Sequence, residues 1–86
     1  MHGASDQDAL ARAHALAVLR GAALGDRLVV RARHEDGARD ALGTLHARSA
    51  DAVTIGTRRG PVVVALVDVV AAKHVPPPPA PRPRRP

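Results

Sequence analysis

The sequence predicts a mainly β protein: a small five-stranded barrel with an N-terminal α-helix and a disordered proline-rich C-terminal tail. Three observations carry this expectation. Apolar residues recur at helical spacing only up to Arg20, the period changes to two from Arg27 onward, and seven of the eight prolines lie in residues 76–86. The expected organisation is a helix and linker over 1–24, a barrel over 25–75 and a tail over 76–86.

The helix is expected from Ser5 to about Arg20. Ser5-Asp6-Gln7-Asp8 places an N-cap serine three residues before an acidic one, and strong helix formers follow. Leu10, Ala13, Leu16 and Ala17 make the apolar stripe, which Val18 and Leu19 widen, and Gly21 followed by Gly25 ends it. The stripe is expected to cover one open end of the barrel, with dimerisation through this helix or an exposed β edge as the rival.

Leu28, Val30 and Ala32 alternate with Arg27, Val29, Arg31 and Arg33, which reads as a half-buried strand with one wet face. His34-Glu35-Asp36-Gly37 supplies turn chemistry. A second strand is expected over 41–48, with a bulge or sharp bend at Gly43, because Leu42 and Leu45 fall out of strict alternation there. After Ser49-Ala50-Asp51, the run Val53 to Arg58 pairs as a hairpin with Val62 to Val67 across the Arg59-Gly60-Pro61 turn. Asp68 is expected to cap a single turn over Val69, Val70 and Ala71, and Ala72 to Val75 to form the closing strand. Five short strands with one helical turn before the last describe an SH3-like barrel.

Composition narrows the function classes. Eighty-six residues without a cysteine exclude a disulfide framework and a thiolate metal site, and leave room for one modest core. With no Phe, Tyr or Trp, that core is built from Val, Leu, Ala and the single Ile. No apolar run approaches the ~18 residues of a membrane helix, and the first residues lack the features of a signal peptide, so a cytoplasmic location without membrane contact is expected. Arg82, Arg84 and Arg85 carry three of the +5 net charges, so residues 1–75 are only mildly basic at +2. Lys73 is the only lysine, an arginine bias that suits a GC-rich genome.

Four stretches carry a family resemblance: Gly25-Asp26-Arg27-Leu28-Val29-Val30-Arg31, Ala41-Leu42-Gly43-Thr44-Leu45, Thr57-Arg58-Arg59-Gly60-Pro61-Val62-Val63-Val64, and Asp68-Val69-Val70-Ala71-Ala72-Lys73. In that order they resemble the SH3-like N-terminal domain of actinobacterial GNAT-family acetyltransferases, over roughly residues 25 to 79. The resemblance implies an accessory, non-catalytic module, and the prolines resemble a linker into a catalytic domain. Two features depart from it. The helix at Ser5 to Arg20 is not part of that domain, and no Arg/Gln-x-x-Gly-x-Gly/Ala loop for acetyl-coenzyme A is present, so no cofactor is expected.

Arg27, Arg31, Arg33, Arg58 and Arg59 are the candidate residues for contact with an anion or a partner, because the guanidinium is a planar fork of donors that matches carboxylate and phosphate. Single-stranded nucleic acid usually also needs aromatic stacking platforms, which this chain lacks. A protein partner or self-association is therefore the leading expectation and nucleic acid the second. A groove for PxxP ligands is excluded on the same ground. His2, His14, His34, His46 and His74 match no metal-ligand spacing. Ser5 and Ser49 have structural roles as cap and turn, and the carboxylates fall at strand ends and turns, so no nucleophile or general base is expected. The remaining alternative is an N-terminal fragment of an acetyltransferase.

Overall fold

The computed structural model describes residues 3–76. The tail expected beyond Pro76 lies outside the described residues. The chain forms α1 (Gly3–Gly21), β1 (Arg27–His34), β2 (Gly37–Arg48), β3 (Ala52–Thr57), β4 (Gly60–Ala65), a 3-10 turn (Leu66–Asp68) and β5 (Val69–His74). The strands make one antiparallel sheet in the order β4-β3-β2-β1-β5.

β1 forms where the period-two pattern placed it. Its core face carries Leu28 and Val30, which lie opposite Gly43 and Ala41 of β2. The two strands are joined at Glu35-Asp36, with Gly37 at φ +127°, a conformation that costs a residue with a Cβ but not glycine. β2 starts at Gly37 rather than Ala41, because every residue of the hairpin from His34↔Gly37 to Arg27↔Thr44 pairs. Ala41, Gly43 and Leu45 alternate into the core without a break, and Leu42 faces out. The bulge falls three residues after its expected place: the β2–β3 register shifts between Leu45 and Ala47, leaving His46 as the extra residue. Gly43 has another purpose, since a Cβ there would run into the backbone of Gly56. Its missing side chain lets the bent β2 lie against β3.

The helical turn also departs from expectation. It spans Leu66–Asp68, so Asp68 ends it rather than capping it, and its N-cap Ala65 offers no side-chain bond. Val69 and Val70 are β-branched, favour extended backbone, and open β5 with Val69 opposite Ala32. A register shift against Arg31 and Ala32 leaves Val70 unpaired.

The helix is docked on its own sheet, against β5. The stripe is rotated from the expected one: Ala15, Leu19 and Ala22 are buried, whereas Leu10 is 71 % exposed and Ala13 and Ala17 face solvent. The alanine-rich sequence offers several stripes of similar hydrophobicity. The one chosen puts small Ala15 inward and joins the Ala72 side of β5 in the same core cluster, along with Leu28, Val30, Leu45, Val53, Ile55, Val64 and Val69. Two arginines fix the docking. Arg12 Nη1 donates to the carbonyls of Leu66 (3.0 Å), Val67 (3.3 Å) and Val69 (2.8 Å), binding the helix to the 3-10 turn. Arg48 Nη1 donates to the carbonyls of Leu19 (3.0 Å) and Ala22 at the helix C-terminus, where the last carbonyls have no intrahelical donor.

The helix exit is held by Asp26, whose Oδ2 accepts the Ala23 N–H at 3.0 Å and lies 3.2 Å from His74 Nε2. These bonds, the Ala23 amide foremost, hold the Asp26 carboxyl below its usual range. Ser49 is a turn residue, as expected: its Oγ accepts the Ala52 N–H at 3.2 Å and donates to Asp51 at 3.1 Å.

The sheet does not close into a barrel. β4 and β5 are its two ends, with no ladder between them. The 3-10 turn carries the chain from the end of β4 to β5, which pairs with β1 instead. Among the described residues one long edge of β4 is thereby left without a strand partner.

Candidate functional site

Along that edge runs an open cleft of about 1000 Å³, bounded on the far side by the distal half of the β1–β2 hairpin. Its apolar part is formed by Leu42, Val62 and Val63, which are 47, 41 and 71 % exposed. The Val62 to Val67 run reads as a strand from the sequence, and because β4 has sheet on one side only, Val64 alone of Gly60–Ala65 is buried. Pro61 was the available signal, because proline lacks a ladder donor and is confined to sheet edges.

The cleft is also basic. Four of the five arginines singled out from sequence line it: Arg27, Arg33, Arg58 and Arg59. Arg58 and Arg59 form the two-residue connection of the β3–β4 hairpin, made possible by Gly60 at φ +116° and braced by Thr57 Oγ1 donating to the Gly60 carbonyl at 2.7 Å. Arg33 comes from the outward face at the end of β1. The Nε of Arg27 is buried with no hydrogen-bond partner among the described residues, which leaves a donor unspent where donors are normally satisfied. The fifth arginine, Arg31, is elsewhere. It binds Asp40 on the neighbouring strand by two bonds, Nε–Oδ1 at 2.8 Å and Nη2–Oδ2 at 3.3 Å. That pairing holds the Asp40 carboxyl below its usual range and raises the Arg31 guanidinium.

Arg39, not singled out beforehand, also lines the cleft and reaches Asp36 at 3.4 Å. Five arginines thus face two carboxylates, Asp40 and Asp68, and the Asp40 charge is already offset by Arg31. In a concave, partly apolar setting such an excess focuses positive potential.

Of the remaining titratable groups, His34 also lines this cleft. His34 Nδ1 is 3.1 Å from Asp36, and the hydrogen bond from His34 is the largest influence lowering the Asp36 carboxyl. His46 lies over Gly56 on the bulge. No cluster of three or more metal-ligating side chains occurs among the described residues, and no helix among them is long and apolar enough to cross a membrane. No protein-family model, curated protein or solved structure matches the chain.

Proposed function

We propose that this chain is a non-catalytic binding module, an SH3-like half-barrel with an added helix, whose cleft recognises an acidic segment of a protein partner. The carrying observation is the coincidence of five arginines with exposed aliphatic side chains in the lining of one cleft. The strand order β4-β3-β2-β1-β5 with a 3-10 turn before the last strand supports the SH3-like assignment. The resemblance over roughly residues 25 to 79 supports a role as an accessory domain of a GNAT-type acetyltransferase, with the acidic segment supplied by that enzyme or by a protein it acts with.

An acidic peptide is favoured over nucleic acid on two grounds. The exposed apolar lining is aliphatic, suited to aliphatic side chains, and there is no aromatic platform on which bases stack. The volume sits at the top of the ~300–1,000 Å³ range of small-molecule pockets, and the site is open, as suits a segment of chain.

Fluorescence polarisation of a labelled Glu-Val-Glu-Val-Glu-Val peptide tests this. Removing both turn charges by Arg58→Ala with Arg59→Ala should weaken binding about 5- to 30-fold, two exposed ion pairs at roughly 0.5–1 kcal/mol each. Arg20→Ala, an equal loss of charge per residue on the exposed side of the helix, should change it little. A twelve-nucleotide thymidine strand that binds more tightly than the peptide and loses affinity steeply with salt would transfer the cleft to nucleic acid.

A further inference from the structure

The edge of β4 has a defined polarity. The Leu66 N–H donates to the Asp51 carbonyl at 2.9 Å, and the β3–β4 register pairs Val53 with Val64, Ile55 with Val62 and Thr57 with Gly60. Antiparallel pairs alternate between hydrogen-bonded and non-hydrogen-bonded. The 51/66 bond therefore sets the phase: Val64, Val62 and Gly60 turn their backbone groups toward β3, and Ala65, Val63 and Pro61 turn theirs outward. Pro61 sits at a position where its missing N–H costs the sheet nothing. Among the described residues the outward N–H and C=O of Val63 and the outward N–H of Ala65 have no backbone partner, the Ala65 carbonyl being taken up as N-cap of the 3-10 turn, and β4 is the last strand of the sheet.

These outward groups border the basic cleft, which β4 lines from Val62 to Ala65. An unpaired apolar strand edge is a template for another strand. Here that template is flanked by Arg58 and Arg59 at one end and faced by Arg33 and Arg39 across the gap. We infer that the acidic segment binds by strand addition, as an extended chain of about six residues hydrogen-bonded to the N–H and C=O of Val63, the N–H of Ala65 and the C=O of Pro61. This deepens the reading of the cleft as an acidic-peptide site and rests on it.

The geometry explains why strand addition suits this ligand. An extended chain presents alternate side chains to opposite faces, so one set lies beside Val62 and the other beside Val63, and the acidic set is placed among the arginines that line the cleft. Main-chain bonds supply sequence-tolerant affinity, and the arginines select for negative charge. The occupant is an acidic segment and not a second copy of β4, because the edge carries Arg58 and Arg59 beside it and gains most from opposite charge.

The experiment uses the full chain, labelled with 15N, and the same Glu-Val-Glu-Val-Glu-Val peptide. At saturation the Val63 and Ala65 amides should exchange with solvent at least ~10-fold more slowly, while Val62 and Val64, already bound to β3, change little. Two N-methylated peptides sharpen the test. Methylation of the alternate amides that face β4 should weaken binding at least ~10-fold, and methylation of the others should leave it unchanged. Binding without protection of Val63 and Ala65, or with both methylated peptides equally good, overturns strand addition while leaving the acidic-peptide cleft standing. No binding at all removes both. Protection of Val63 that appears without peptide and grows with protein concentration gives the edge to a second copy and also overturns the proposal.

Discussion

Substitution of Leu19 by alanine measures how far the helix belongs to the core of the sheet. Leu19 is 1 % exposed and lies in one buried cluster with residues from all five strands. Removing three buried carbons forfeits about 2.4 kcal/mol at ~0.8 kcal/mol per carbon. The cavity left behind brings the expected cost to about 3 kcal/mol, near the low end of the range for buried leucines. A domain of this size has a total stability of about 4–11 kcal/mol at ~0.05–0.15 kcal/mol per residue. The loss should therefore lower Tm by about 12–24 °C, at ~4–8 °C per kcal/mol for a domain of this length. Leu10, on the same helix but exposed, should cost less than ~0.5 kcal/mol when replaced by alanine. Thermal unfolding followed by circular dichroism at 222 nm is the assay, since the chain has no aromatic residue for fluorescence. Equal losses for Leu10→Ala and Leu19→Ala would refute the docking described here. A Leu10 effect that depends on protein concentration would mean instead that the Leu10 face joins two chains.

Two further expectations follow from local geometry. Gly43→Ala drives a Cβ into the backbone of Gly56, whereas Gly56→Ala meets only the exposed imidazole of His46, which can rotate away; the first should cost more than ~2 kcal/mol and the second under ~1 kcal/mol in urea titration, by the scale of core overpacking. Comparable costs would show that β2 and β3 do not approach as described. The carboxyls of Asp26 and Asp40 are held below their usual range by the Ala23 amide and Arg31 respectively. Their stabilisation is therefore present above the ordinary carboxylate pKa of about 3.9 and is lost as pH falls through the lower folded values. Asp40→Asn should flatten the fall in urea midpoint on acidification below about pH 4, and an unchanged slope would refute the assignment.

The existence of five strands was legible in the sequence because each strand face is written locally. Leu28 and Val30 against Arg31 and Arg33, Val53 and Ile55 on one side, and the glycines at hairpin turns are decided by period and by conformational freedom within a few residues. Four of the five candidate arginines line the cleft, Arg27 and Arg33 placed by alternation on β1 and Arg58 and Arg59 by the turn before Gly60, whereas nothing local marked Arg39.

What the tertiary structure alone decided depends on pairing between distant segments. The buried stripe of α1 was not the one with the largest residues, because many alanines make the helical faces nearly equal and β5 selects the face that approaches most closely. Arg31 left the basic group because the β1–β2 register places it beside Asp40, nine residues away. Arg12 and Arg48 carry no signal in the sequence, and they hold the helix because the fold brings free carbonyls within their reach. Whether Val62 and Val63 are core or cleft depends on which strand lies beside β4. A run of valines determines that a strand forms; the 3-10 turn that sends β5 to β1 determines that this strand keeps an open edge.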